Sequence, residues 1–187
     1  TVQGAQLAVS EGQGISLVGG NITVQGGTLA HTTIQPAQLS APGGQITLVS
    51  VGSPGEVSAT GIENQPLEPF VNGFSRFGTI SLSQGTTIDT SATKAGRIII
   101  RGGQFTMDDA SIKSITGNGH GMVTEGETAS PAISITSETI ALNNGTLITA
   151  DTHGSAPAGD ITFNVRTLTT EGDATNRLEL NPNDPST

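Results

Sequence analysis

Short segments of alternating polar and apolar residues recur along the chain. Residues 78–82 read Gly-Thr-Ile-Ser-Leu, and residues 86–90 (Thr-Thr-Ile-Asp-Thr) alternate in the same way. This period of two is typical of a β-strand with one buried face. The pattern starts again after a glycine, as Arg-Ile-Ile-Ile at 97–100, so that Ile80 and Ile98 are 18 positions apart. That distance is too short for a strand–helix–strand unit. Short strands that repeat at about 20 residues predict a solenoid.

The restarts share one signature, a glycine or alanine followed by a variable residue and then Ile-x-apolar. The first apolar residues of these restarts are Ile46, Ile80, Ile98, Ile133 and Ile161. A second and often a third short strand follow each restart. Three strands per turn with glycine corners predict a parallel β-helix, in which inward apolar side chains stack along the axis. We therefore expect an all-β parallel β-helix of about six to eight coils at ~4.8 Å per coil.

Uneven spacing between the restarts predicts loops that leave the helix. One lies near 60–77 and holds three of the five phenylalanines, and the other, near 116–131, is polar and glycine-rich. The segment 31–42 also interrupts the pattern, since its two prolines cannot lie in a central ladder. We expect residues 1–180 to form a single domain. Residues 181–187 lack aliphatic and aromatic side chains, which predicts a disordered tail or linker.

Composition agrees with an all-β fold and narrows the classes of partner. The 187 residues include 26 glycines, only 3% are aromatic and 12% charged, and the helix formers Lys, Arg and Glu are scarce. The formal net charge of −9 argues against a nucleic-acid partner and against anionic membrane surfaces. No run of 18 apolar residues is present, so we expect no membrane insertion. The absence of cysteine excludes disulfides and zinc–thiolate sites. The chain starts Thr-Val-Gln without methionine, and we expect a fragment or a processed product.

Two stretches of the sequence are similar to a known family. Residues 15–24 followed by 41–48 resemble the end of the filamentous-haemagglutinin-type secretion domain, and residues 145–162 are similar to the shaft repeats of that family. The resemblance implies a right-handed β-helix and a two-partner-secreted bacterial surface protein. Such a protein passes through an outer-membrane secretion pore, is secreted or held at the cell surface, and serves as an adhesin or surface fibre. Host or cell-surface glycans are then expected partners, whereas an activity does not transfer with the fold.

A solenoid shaft needs no catalytic centre, and we predict neither enzyme activity nor a cofactor. The three histidines, His31, His120 and His153, are far apart and no pair has metal-ligand spacing, so we predict no metal site. The three rings Phe70, Phe74 and Phe77 are the candidate contact patch. The interpretation that we favour for them is a small satellite core that covers one face of the helix, because an isolated aromatic cluster left in water would be an aggregation hazard.

The alternative function is a Ca²⁺-dependent polysaccharide lyase or a carbohydrate-binding β-helix. Its candidate residues are the carboxylate pair Asp108 and Asp109 together with Lys94, Arg97 and Arg101, which lie nearby in sequence. Calcium takes about six to eight oxygen ligands, and no acidic cluster in the sequence supplies them. A solvated corner whose charges protect a sheet edge is the simpler interpretation of the two carboxylates.

Asn21 and Asn144 each begin an acceptor tripeptide for N-linked sugar. Asn144 precedes a glycine and is also a natural turn residue.

The two ends of a β-helix each present unpaired backbone groups. No cap is evident in the sequence before Ile15 or after Leu180. We therefore predict that copies stack end to end into a fibre, a contact that need not close on itself, or that the coils continue in a longer chain.

Overall fold

All regular secondary structure in the computed structural model consists of β-strands. The structure describes residues 1–29, 33–56, 73–117, 132–153, 158–172 and 177–179. No helix in these ranges is long and apolar enough to cross a membrane. The fifteen strands, in chain order, are β1 (Val2–Gln3), β2 (Gln6–Ala8), β3 (Ile15–Gly19), β4 (Ile22–Gln25), β5 (Gly27–Leu29), β6 (Thr33–Gln35), β7 (Gln38–Ser40), β8 (Gln45–Ser50), β9 (Thr79–Asp89), β10 (Arg97–Arg101), β11 (Gln104–Thr116), β12 (Ile133–Asn143), β13 (Leu147–Thr152), β14 (Ile161–Glu171) and β15 (Arg177–Glu179).

Thirteen strands form one parallel sheet, and the remaining two, β5 and β6, form an antiparallel hairpin. The pairing divides the large sheet into three faces. Face A contains β3, β8, β10 and the first halves of β12 (133–136) and β14 (161–165). Face B contains β1, β4, the first parts of β9 (79–83) and β11 (104–108), and the second halves of β12 (139–143) and β14 (167–171). Face C contains β2, β7, the second parts of β9 (86–89) and β11 (110–116), β13 and β15.

Along the chain the faces follow one another in the order A, B, C. A coil is one passage across the three faces. Each strand pairs with strands of the same face in the neighbouring coils, on both sides in the middle of the stack and on one side at its ends. The large parallel sheet is therefore curled, as in a β-helix or solenoid, and the predicted all-β, stacked-strand architecture is confirmed at that level.

The core lies inside the curl, where the inward residues of successive coils are in register. Face A contributes the row Ile15, Ile46, Ile98, Ile133 and Ile161. Face B contributes Ile22, Ile80, Phe105, Ile140 and Leu168. Face C contributes Leu7, Leu39, Ile88, Ile112 and Ile148. In the middle coils these side chains are almost fully buried. Branched side chains on a pleated surface pack well against identical neighbours, which is why the alternating pattern produces stacked rows.

The repeat length predicted from the sequence is wrong. Ile80 pairs with Ile22 and Phe105 on face B, whereas Ile98 pairs with Ile46 and Ile133 on face A. The 18 residues between Ile80 and Ile98 thus join two different faces. The closest successive coils are 24 residues apart on face C, from Ile88 to Ile112, and 25 on face B. The small-x-apolar signature occurs on all three faces, at 44–46 on face A, 78–80 on face B and 110–112 on face C, so it does not distinguish one face from another.

Two kinds of corner fit the chain to this path. Between faces B and C the backbone takes positive φ at Gln84, Asp109 and Asn144, with Gly85 and Gly145 beside two of them. Between faces C and A, successive coils approach so closely that a Cβ at Gly96 would overlap the Gly44 carbonyl oxygen. The glycines at the predicted corners therefore have two different roles. Between faces B and C they allow a left-handed bend, and between faces C and A they allow a close contact between coils.

The segments predicted to leave the helix show a mixed outcome. Most of the two predicted loops, at 57–72 and 118–131, lies outside the described residues, as do 181–187. The interruption predicted at 31–42 is wrong in part, since β7 lies within it and is a regular member of face C. Its prolines, Pro36 and Pro42, flank β7 without occupying it, so no hydrogen bond of the ladder is lost. Between β4 and β7 the hairpin β5–β6 leaves the sheet instead.

Candidate functional site

The C-terminal end of the described stack is an open edge. Among the described strands, β14 pairs only with β12, and β15 only with β13. Leu168 is 47% exposed, whereas Ile140, its neighbour one coil earlier in the same row, is 1% exposed. Phe163 and Val165 are half-buried although they face the core. Among the described residues this end therefore presents strand edges without a partner strand, together with an apolar surface of the kind that the preceding coils bury.

The N-terminal end is a second open edge of the same kind. Within the described residues, β1 pairs only with β4, β2 only with β7 and β3 only with β8. Leu7 on face C is 37% exposed, and the next residue in its row, Leu39, is fully buried. Within the described residues each end thus has the two features that strand addition requires, a strand edge without a partner strand and apolar side chains beside it.

In the described part of the chain face A has five strands, while faces B and C have six each. The sequence predicted open ends, but only the register of the strands shows which side chains line them.

The candidate contact patch lies on the outside of face A. Phe74 is buried and packs with Val49 and Ile99, and the half-buried Phe77 packs against the same cluster. The guanidinium of Arg101 lies 4.3 Å from the centre of the Phe77 ring. Phe70 lies outside the described residues. Two of the three rings thus form a satellite core on the outer surface, and a role of the patch in contact with a partner stays a prediction.

The residues proposed for a lyase are distributed over three corners. Asp108 and Asp109 lie between faces B and C, and the Oδ1 of Asp108 accepts a hydrogen bond of 2.9 Å from the Nδ2 of Asn144. Arg101 ends its strand between faces A and B, whereas Lys94 and Arg97 lie between faces C and A. The structure does not bring these acidic and basic groups together, because each corner belongs to a different side of the stack.

The remaining candidates do not form a site either. His153 is exposed, and His31 and His120 lie outside the described residues. In the described ranges no group of three or more His, Asp or Glu side chains could hold a metal ion. Asn144 is exposed with φ of 41°, as the turn interpretation predicts. Asn21 is exposed, and its Oδ1 accepts a hydrogen bond from the Thr79 amide at 3.0 Å, which ties two neighbouring coils together.

Comparisons with known proteins add no relative to this description. No family model matches the chain, and no curated protein or solved structure matches it.

Proposed function

We propose that this chain is a structural or adhesive segment of an extracellular bacterial surface protein, built as a right-handed β-helix whose coils continue end to end. Continuation occurs through other copies of the chain or through further coils of a longer polypeptide. The handedness and the surface location rest on the resemblance to filamentous-haemagglutinin-type shafts. The assembly rests on the two ends.

The observation that carries the proposal is the open C-terminal edge. Fully burying a leucine side chain is worth about 1.5–3 kcal/mol, so the exposed half of Leu168 leaves roughly 1 kcal/mol to be gained in a contact. Val165 and Phe163 add further apolar area of the same kind. Over residues 161–170 the outer edge of β14 has no partner strand among the described residues, and it offers a parallel ladder to an incoming strand. An edge with both features favours the addition of another coil.

The proposal also agrees with the separate positions of the acidic and basic side chains that were considered for catalysis. A shaft needs stacked apolar rows inside and a solvated outer surface, and the described residues provide both. The groups suggested for catalysis point to three different sides of the stack, so they do not supply the convergent groove that a lyase needs.

The experiment is electron microscopy and light scattering of the protein over a range of concentrations. We expect filaments with the width of one stack. The variant Leu168→Lys places a charge in the terminal apolar row and should abolish them. The matched control Gln104→Lys adds the same charge on an exposed position of β11 in the middle of the stack and should leave assembly intact. Monomers at every concentration, or equal effects of the two lysines, would contradict end-to-end assembly of copies.

A further inference from the structure

A groove with an unusual charge runs along the corner between faces A and B. Its volume is about 450 Å³, and it is open to solvent. Three successive coils contribute to it through Arg101, Glu138 and Arg166, and the segment that returns to the stack before β9 contributes Arg76 and Phe77. The groove lies on the outer side of the stack, and the last strand that contributes to it, β14, is also an edge strand of the C-terminal end.

The charge of the groove is opposite to that of the chain. The protein has sixteen acidic and seven basic side chains, and three of the seven basic ones line this groove. Glu138 is the one carboxylate among the lining residues. In the part of the chain that the structure describes, none of the three arginines forms an ion pair with a carboxylate. A cleft lined mainly by one sign of charge concentrates its field on a ligand of the opposite sign.

The groove is also held in place before any ligand arrives. Arg101 lies 4.3 Å over the Phe77 ring, and Phe77 packs against the satellite core of Val49 and Ile99. The backbone carbonyl of Arg76 accepts a hydrogen bond of 2.8 Å from the amide of Gly52. Strand pairing on both sides fixes β10, which carries Arg101. A guanidinium that is already ordered loses less entropy when it binds.

The side chains that line the groove favour one class of anionic ligand over others. The planar donors of arginine match a carboxylate in two parallel hydrogen bonds. Thr136 and Asn164 add a hydroxyl and an amide group that can bond to sugar hydroxyls. The apolar lining consists of Val165 and Phe77, which is too little for the side-chain pockets of a peptide site.

A nucleic acid fits less well than a sugar. One face of the Phe77 ring is already covered by Arg101, so the groove has no free stacking platform for a base. The net charge of −9 opposes a long polyphosphate.

We propose that this groove binds an acidic oligosaccharide, with a sugar carboxylate on Arg101 and with Arg76 and Arg166 as flanking cationic contacts. The inference does not depend on end-to-end assembly, because Arg76 and Arg101 lie away from both ends, and only Arg166 belongs to a strand at an open edge, β14. It assigns a binding surface on the side of the stack, with uronate-containing chains as the ligand class.

The test is calorimetric titration of the protein with oligogalacturonate, and with the methyl-esterified oligomer as the uncharged counterpart. We expect the acidic form alone to bind, and added salt to weaken it. Arg166→Gln and Arg101→Gln should each weaken binding about tenfold, while Lys94→Gln, which removes an equal charge outside the groove, should stay within about twofold. Urea unfolding of each variant separates a loss of binding from a loss of folding.

Glu138→Gln is expected to raise the affinity for the ligand, a result that a misfolded variant would not give. Glu138 is exposed, and it is the carboxylate that opposes an anion in the groove. Its neutralisation should tighten binding of oligogalacturonate. Equal binding of the methyl ester, or equal loss in Lys94→Gln, would overturn the proposal. So would a heparin-derived oligosaccharide or single-stranded DNA that binds through these arginines when oligogalacturonate does not.

Discussion

The close contact between coils at the corner of faces C and A gives the sharpest test of the fold. Gly96 is buried, and its added Cβ would overlap the Gly44 carbonyl oxygen and come within 2.7 Å of the Gly44 nitrogen. Both atoms are backbone, so no flexible side chain can move aside. The Arg97 amide donates to the same Gly44 carbonyl at 2.8 Å, which means that separating the coils also lengthens a hydrogen bond. Overpacking costs about 1–3 kcal/mol and a weakened hydrogen bond about 1 kcal/mol, so Gly96→Ala should lower the free energy of unfolding by roughly 2–4 kcal/mol.

The matched control is Gly20→Ala. Gly20 is exposed, has no heavy atom within 4 Å of its added Cβ and does not have a positive φ. An alanine there should leave stability unchanged or raise it by up to about 1 kcal/mol, through the lower entropy of the unfolded chain. Urea unfolding followed by far-ultraviolet circular dichroism measures both variants. If Gly96→Ala lies within about 0.5 kcal/mol of Gly20→Ala, the coils do not approach each other at this corner and the stacking argument fails.

Three further predictions concern single side chains, each measured by urea unfolding. Thr90 is buried, and its hydroxyl has no hydrogen-bond partner in the described ranges. Thr90→Val should therefore raise the free energy of unfolding by about 1 kcal/mol. Thr86→Val removes a hydroxyl that is hydrogen-bonded, and it should lower the free energy of unfolding by about the same amount. The same sign for both would contradict this assignment. At dilutions where the protein is monomeric, Ile98→Ala should lower the free energy of unfolding by about 3 kcal/mol and Leu168→Ala by under about 1 kcal/mol. Equal losses would show that the side chains of the terminal coil are as buried as those of the middle coils. Asn144→Ala should cost about 1 kcal/mol through its positive φ, and Asn144→Gly clearly less; no difference between them would argue against the left-handed turn.

The sequence was a good guide to the core and a poor guide to the identity of each strand. Alternation identified the inward residues correctly, since Ile46, Ile98 and Ile133 do stack in one row. It failed at Ile80, which has the same local pattern but lies on face B. Hydrophobic periodicity reports which side of a strand is buried, and it contains no information on which of three equivalent faces that strand joins. The inserted hairpin and segments remove the regular spacing that would otherwise have resolved the faces.

Which residues come together at the candidate surfaces depends on the register between coils, which the sequence does not reveal. Arg76 and Arg166 are 90 positions apart and were not predicted together, because only the coil count between them brings both to one corner. Arg101 was recognised as a candidate but was grouped with Asp108, which lies at a different corner. Sequence proximity was the wrong criterion in a stacked fold, where residues about one coil apart are neighbours and residues seven apart face different directions.

The common direction of the strands in the large sheet has a consequence for the polarity of any assembly. All strands of the large sheet run in the same sense, so the two ends are chemically different surfaces, and one cannot pair with a copy of itself in a parallel ladder. Growth by edge pairing would therefore be directional. A single molecule that matches one end would stop elongation there and leave the opposite end free to grow.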